Sequence, residues 1–174
     1  LGITDAAIMM RTIAESGAGM SGASAVHMNV FGLNPVVVFG TREQCTRMLP
    51  PIIDGRDKSC FAVTEPNTGL NTTQLKTRAV RKGDKYVVNG AKIYITNGSV
   101  AGTIVFTAKT DKSKGTRGIS AFIISSDTPG FKVGKHEKKM GLRSSDTVEL
   151  HFENMFVPGE QLLDRGREGV VHRG

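Results

Sequence analysis

At Lys58 the periodicity of this 174-residue chain changes. Before it, apolar residues recur at helical spacing; after it they alternate in short runs punctuated by glycine and proline. A helix repeats its buried stripe every 3.6 residues and a strand every two, so the two halves need different partners. In the first half, "TDAAIMMRTIAES" opens with Thr4 or Asp5 as a candidate cap and carries Ile8, Met9 and Ile13. A glycine-rich break at 17–22 leads to the small-residue helix "ASAVHMNVFGL". "TREQCTRMLPPIIDG" predicts a third helix, capped by Thr41 and ended by Pro50-Pro51.

The second half reads as "SCFAVT", "KTRAVRKG", "KYVVNG", "KIYITN", "TIVFTAK", "GISAFIIS", "GFKVGKH" and "TVELHFENMFV". Turn pairs such as Gly83-Asp84, Asn89-Gly90 and Pro129-Gly130 separate many of these runs. About seven or eight strands with no helix between them predict an antiparallel β-barrel or sandwich. The fold class is therefore α+β, with a helical amino-terminal remnant over 1–58 and a β-barrel domain over 59–158. Residues 159–174 are polar and charged and read as a linker into a further domain, and the chain as a piece of something longer.

The net charge of +7 favours anionic partners, but the cations are dispersed: Lys76 with Arg78, Arg81 with Lys82, Lys112 with Lys114, Lys132 with Lys135, Lys138 with Lys139. With no Trp and 2 Tyr, stacking platforms for single-stranded nucleic acid are scarce. Apolar runs such as Val36–Phe39 are far shorter than the about 20 residues a membrane span requires. Cys45 and Cys60 are too few for a disulfide scaffold and lack metal-ligand spacing, which points to a reducing compartment.

"GAGMSG" (Gly17, Gly19, Gly22) matches a dinucleotide-binding pattern, yet that pattern works only between a strand and a helix, and here a helix precedes it. We read it as a turn between helices. His27, His136, His151 and His172 form no metal motif, and no nucleophile elbow is present. "FAVTEPNTGLNTT" (61–73) is more informative. Pro66 ends the strand near Glu65, Gly69 permits close approach, and Thr64, Thr68, Asn71, Thr72 and Thr73 supply polar groups. The residues alone leave two readings open, a seat for an anionic or polar ligand and an ordinary loop.

"FAVTEPNTG", followed by "LKTRAVRKGDKYVVNGAKIYITNG" and "GISAFIISSDTPGFKVGKHEKKMGLRSSDTVELHFENMFVP", resembles the flavin-binding middle domain of the acyl-CoA dehydrogenases. "GTREQCTRMLPPIIDG" is similar to the end of that family's amino-terminal helical domain, so the resemblance runs from about residue 20 to 165. It implies an FAD enzyme that oxidises an acyl-CoA thioester to the trans-2-enoyl-CoA by α-proton abstraction and β-hydride transfer. The flavin contacts implied are Phe61, Val63 and Thr64 along the ring, Gly69 and Leu70 near the pyrophosphate, and Tyr94, Ile95 and Thr96 as a second segment. Tyr94 stands where many members carry Trp. For the CoA substrate it implies Leu70 and, in the loop "KTDKSKGTRG", Ser113 beside Lys112 and Lys114.

The resemblance places no catalytic residue in this chain: Glu65 belongs to a structural Thr-Glu-Pro turn, and the base comes from a later helical domain, which residues 159–174 would open. It also implies a homotetramer, an electron-transfer flavoprotein as acceptor, and a cytoplasmic location in a bacterium or the mitochondrial matrix in a eukaryote. One departure stands out, because the family's usual Gly-Ser-Asp is Gly69-Leu70-Asn71 here. The change removes a hydroxyl donor to phosphate and the carboxylate charge, and so predicts weaker FAD or CoA binding. Acyl-CoA oxidases and flavin-dependent monooxygenases resemble the same scaffold and form the alternative chemistry. A non-catalytic basic β-barrel that binds nucleic acid or protein is the rival from another class, supported only by charge.

Overall fold

The computed structural model describes residues 2–163, so residues 164–174 of the expected linker, with His172, lie outside the described residues. Helix α1 (Ile3–Ile13) begins just ahead of the expected caps. Asp5 lies inside its first turn and accepts a hydrogen bond from the Gly2 amide at 2.7 Å. A π-helical turn, Ala14–Ala18, joins α1 to α2 (Gly19–Phe39), and Gly17 at φ 95° makes the kink. The glycines of "GAGMSG" therefore serve a bend between helices, as their context implied.

Together Ile3–Phe39 form a 37-residue stretch that is long and apolar enough to cross a membrane by length and composition, where the sequence suggested only short apolar runs. Here α2 instead buries Ala23, Gly32, Leu33 and Val36. The same helix leaves Val30, Phe31, Val37, Val38 and Phe39 largely exposed.

Helix α3 (Arg42–Ile53) starts with a reciprocal cap: the Gln44 amide donates to Thr41 Oγ1 at 3.2 Å, and the Thr41 amide donates to Gln44 Oε1 at 2.8 Å. Pro50 and Pro51 sit inside its last turn rather than ending it. The carbonyls that their missing N–H groups would have met belong to Thr46 and Arg47, which are exposed and open to water.

Seven strands follow: β1 (Ser59–Ala62), β2 (Arg78–Lys82), β3 (Lys85–Thr96), β4 (Thr103–Lys109), β5 (Ile119–Ser125), β6 (Phe131–His136) and β7 (Thr147–Pro158). "KYVVNG" and "KIYITN" form one strand, because Asn89-Gly90 is a bulge rather than a turn. Gly90 lies at φ 155° against Thr77, where a Cβ would come within 2.4 Å of its hydroxyl oxygen. Asn89 Oδ1 meanwhile accepts from the Asn154 amide at 2.9 Å, which ties the bulge to β7.

The sheet is mostly antiparallel, with two parallel contacts the sequence did not disclose. β1 pairs with the first half of β4 (Ser59 with Thr103 through Ala62 with Phe106), and β2 joins the same edge further on, Arg78 opposite Lys109. Antiparallel pairings link β2–β3, β3–β7, β7–β6 and β4–β5. The curled sheet encloses Phe106, Phe122 and Phe152, with Phe106 at 4.7 Å from Phe152 and 5.3 Å from Phe122. Val105 and Ile123 face the other way, onto Leu33, Val36 and Ile52 of the helices. Cys60 is fully buried in the sheet interior, and burial pushes its thiol up to about 12, so it stays protonated and inert.

Past β7, Gly159–Gln161 turn back. The Leu163 amide donates to Ala121 O at 2.8 Å, and Gln44 Nε2 donates to Glu160 O at 2.7 Å. The start of the expected linker is thus packed against β5 and α3.

Candidate functional site

Beyond Ala62 the chain leaves β4 and swings to β3, where the Ile93 amide donates to Thr64 O at 2.9 Å. At the other end Asn97 Nδ2 donates to Ser59 O at 3.2 Å. Segments 59–64 and 93–97 therefore lie side by side.

The loop that follows is held by one buried carboxylate. The Glu65 amide donates to Thr68 O at 2.9 Å and the Thr68 amide to Glu65 O at 3.0 Å, closing a tight turn around Pro66-Asn67. Its side chain is 4% exposed and accepts three bonds: from the Lys76 amide at 2.5 Å, the Thr77 amide at 3.0 Å and Lys92 Nζ at 2.9 Å. Lys92 is fully buried, and its ammonium also donates to Val63 O at 3.0 Å.

Burial alone would raise the Glu65 carboxyl, but hydrogen bonds from Thr77 and Lys76 and the Lys92 charge outweigh it and hold the group below its ordinary value. Burial lowers Lys92, and the bond and charge of Glu65 offset only part of that. Glu65 is thus an ionised strut with each oxygen engaged, unsuited to carrying a proton. The structural role expected for it fits this geometry. Lys92 was missed. The available signal was weak: a lysine inside a long strand, with a carboxylate in a nearby turn to pair with.

Around this strut the expected flavin contacts divide by environment. Phe61 packs edge-on against Phe31 of α2 at 5.3 Å, so its ring is held on the helical side of β1. Val63 and Thr64 are half-buried. Tyr94 is 62% exposed and lies at φ 58°, in a second bulge where the pairing with β7 shifts between Lys92 and Ile95. A bulky residue in the left-handed region is strained, and such strain concentrates at functional positions. Ile95 is 2% exposed and its side chain joins the core, so only its main chain is available to a ligand. Thr96 is half-buried, and within the described residues neither the Thr64 nor the Thr96 hydroxyl has a hydrogen-bond partner.

Gly69 is not in the left-handed region, and a Cβ built there would meet nothing within 4 Å. Nothing in the fold itself demands glycine at 69. Leu70 is fully exposed. Asn71 heads a short 3-10 turn: its Oδ1 accepts from the Thr73 amide at 3.3 Å and the Thr73 hydroxyl at 2.5 Å. The turn is intact without the charge.

Ser113 stands in the loop after β4, on the same end of the sheet as the 63–77 loop because β1 and β4 run parallel. Its amide and hydroxyl both donate to Asp111 Oδ1, at 2.9 and 2.7 Å.

The middle-domain model of the acyl-CoA dehydrogenases matches residues 60–155, and the amino-terminal-domain model of the same family matches residues 1–56. The short-chain-specific acyl-CoA dehydrogenase of Clostridium acetobutylicum is 50% identical over 130 residues, 75% of this chain and 34% of that protein. A chain from a structure of the electron transferring flavoprotein of Acidaminococcus fermentans superposes with a TM-score of 0.82 at 46% identity, covering 86% of this chain and 40% of that one. A glutaryl-CoA dehydrogenase from Mycobacterium smegmatis in complex with FADH2 superposes with a TM-score of 0.79 at 33% identity, covering 85% and 37%. The chain therefore spans about a third to two-fifths of the length of these relatives. The family is flavin-dependent, and by its matching domains and their order this chain belongs to the acyl-CoA dehydrogenase family.

Proposed function

We propose that this chain is the flavin-seating part of an FAD-dependent acyl-CoA dehydrogenase acting on a fatty acyl-CoA, with an electron-transfer flavoprotein as acceptor and a homotetramer as the working assembly. The observation that carries it is the side-by-side placement of 61–64 and 94–96, two main-chain segments whose Thr64 and Thr96 hydroxyls have no hydrogen-bond partner among the described residues. That donor set suits a flat heteroaromatic ring with polar edges, and Tyr94 offers an exposed aromatic wall beside it. The open space at Gly69 suits a diphosphate lying close to the main chain. When bound, FAD supplies the acceptor for the hydride from the acyl β-carbon.

The residues of this chain bind and orient. The Glu65–Lys92 pair fixes the Val63 carbonyl and the start of the following loop, so these main-chain groups would meet a bound flavin already oriented. The α-proton goes to a carboxylate outside these residues, and Glu65, saturated and ionised, holds none.

The test is whether the full-length protein purifies yellow and is bleached anaerobically by a short-chain acyl-CoA. A colourless protein that takes up no FAD contradicts the reading. Rapid oxygen consumption in place of transfer to an electron carrier would move the chemistry to the oxidase class.

A further inference from the structure

β1 and β3 approach each other without forming a ladder. β1 pairs with β4, and beyond Asn89 the strand β3 pairs with β7 alone. Among the described residues, three hydrogen bonds cross between 59–64 and 92–97. Two lie at the Thr64 end, from the Ile93 amide to Thr64 O at 2.9 Å and from Lys92 Nζ to Val63 O at 3.0 Å. The other end is held by a single side chain, Asn97, whose Nδ2 donates to Ser59 O at 3.2 Å.

Asn97 is suited to that task by its backbone as well as its amide. It lies at φ 63°, just past the end of β3, and Tyr94 lies at φ 58°, so Ile95 and Thr96 are bracketed by two left-handed residues. Asparagine adopts this region more readily than other residues with a side chain, and unlike glycine it brings a donor. The residue is buried and its main chain is engaged: its amide donates to Asp146 O at 3.2 Å, and its carbonyl accepts from the Val100 and Ala101 amides at 3.0 and 2.8 Å. Ser59 is fully buried and is fixed from the helical side, its amide and hydroxyl donating to Asn29 Oδ1 of α2 at 3.2 and 3.3 Å. With both ends of the bond anchored, its loss changes the spacing of the two segments.

We propose that Asn97 is a positioning residue for the flavin ring. Through Ser59 it sets the separation of 61–64 from 94–96, the distance a ring must span to meet main-chain groups of both. The inference rests on the flavin reading of these segments and adds to it the group that holds them in place. A binding constellation needs its groups held to within about 0.5 Å, and a residue that locks them acts without touching the ligand.

The full-length protein and its Asn97→Gly variant, stripped of flavin, are titrated with FAD. Flavin fluorescence gives the affinity, and the visible absorption bands are recorded at saturation. Asn97→Gly keeps a residue at ease in the left-handed region and removes only the tie. Asn154→Gly is the matched control: Asn154 is also left-handed, at φ 45°, and lies toward the opposite end of β7 from Thr147, the partner of Thr96. Asn97→Gly is expected to weaken FAD binding at least about fivefold and to shift the visible bands of the flavin that does bind, while Asn154→Gly leaves both as in wild type. Asn29→Ala frees Ser59 from the other side without touching β3, and is expected to give the same changes to a smaller extent. It decides the matter where Asn97→Gly does not fold. Weaker affinity with a wild-type spectrum at saturation overturns the proposal, because a residue that only stabilises the fold leaves flavin already bound unchanged. Wild-type affinity and spectrum in Asn97→Gly, or equal changes in Asn154→Gly, overturn it as well. Wild-type protein that takes up no FAD sinks the flavin reading and this inference together, whereas normal uptake by wild type and variant alike removes the role of Asn97 alone.

Discussion

Replacing Lys92 by Met keeps an unbranched apolar stem, one atom shorter, and deletes the charge. The change removes the bonds from Nζ to Glu65 at 2.9 Å and to Val63 O at 3.0 Å. Glu65, 4% exposed, is then left as a buried carboxylate with only the Lys76 and Thr77 amides. Breaking a buried pair by removing one partner costs about 3–5 kcal/mol, and Lys92→Met is expected to fall in that range. Urea unfolding at pH 7 measures it, with Glu65→Gln and the double variant completing a cycle.

The pH dependence supplies the sign. The Glu65 carboxyl is depressed in the folded protein, so its contribution is present above the ordinary carboxylate range near about pH 4 and is lost as pH falls through the folded value. In Lys92→Met, burial acts without the offsetting ammonium, so Glu65 takes up its proton at higher pH and the buried charge is relieved. The stability gap between wild type and variant is therefore expected to be widest at pH 7 and to shrink toward pH 4. A gap under about 1 kcal/mol at pH 7, or one that does not change with pH, refutes the reasoning.

Gly90→Ala places a Cβ 2.4–2.7 Å from Thr77 atoms that include its Cα, so a loss of about 2–3 kcal/mol is expected in the same urea assay. Leu70→Ser changes a fully exposed side chain, and the melting midpoint should hold while FAD retention on dialysis rises. Tyr94→Gly relieves a left-handed backbone worth about 1–2 kcal/mol, set against the entropy glycine loses on folding. Thermal stability should change by less than about 1 kcal/mol, whereas FAD affinity measured by fluorescence should fall.

The division at Lys58 and most of the strands were legible because alternation and turn residues are local signals. What escaped the sequence was set by contacts between distant residues. Asn89-Gly90 carries a strong turn signature, but Thr77, packed against Gly90, and Asn154, bonded to Asn89, make it a bulge inside β3. The parallel run of β1 on β4 depends on a crossover, and no residue in "SCFAVT" or "TIVFTAK" marks its direction. At the site, Pro66 marked where β1 ends, and the structural role of Glu65 came from the family resemblance. The lysine that makes Glu65 a strut lies 27 residues away and looks like an ordinary surface cation within "KIYITN". Ile95 entered the expected contact set by resemblance, and only the bulge at Tyr94 shows that its side chain turns into the core.

The most direct measurement is a crystal structure of the full-length protein grown with FAD. The isoalloxazine should lie across 61–64 and 94–96, its polar edges within hydrogen-bonding distance of main-chain groups and of the Thr64 or Thr96 hydroxyl. Flavin density elsewhere, with that surface bare, would contradict the assignment.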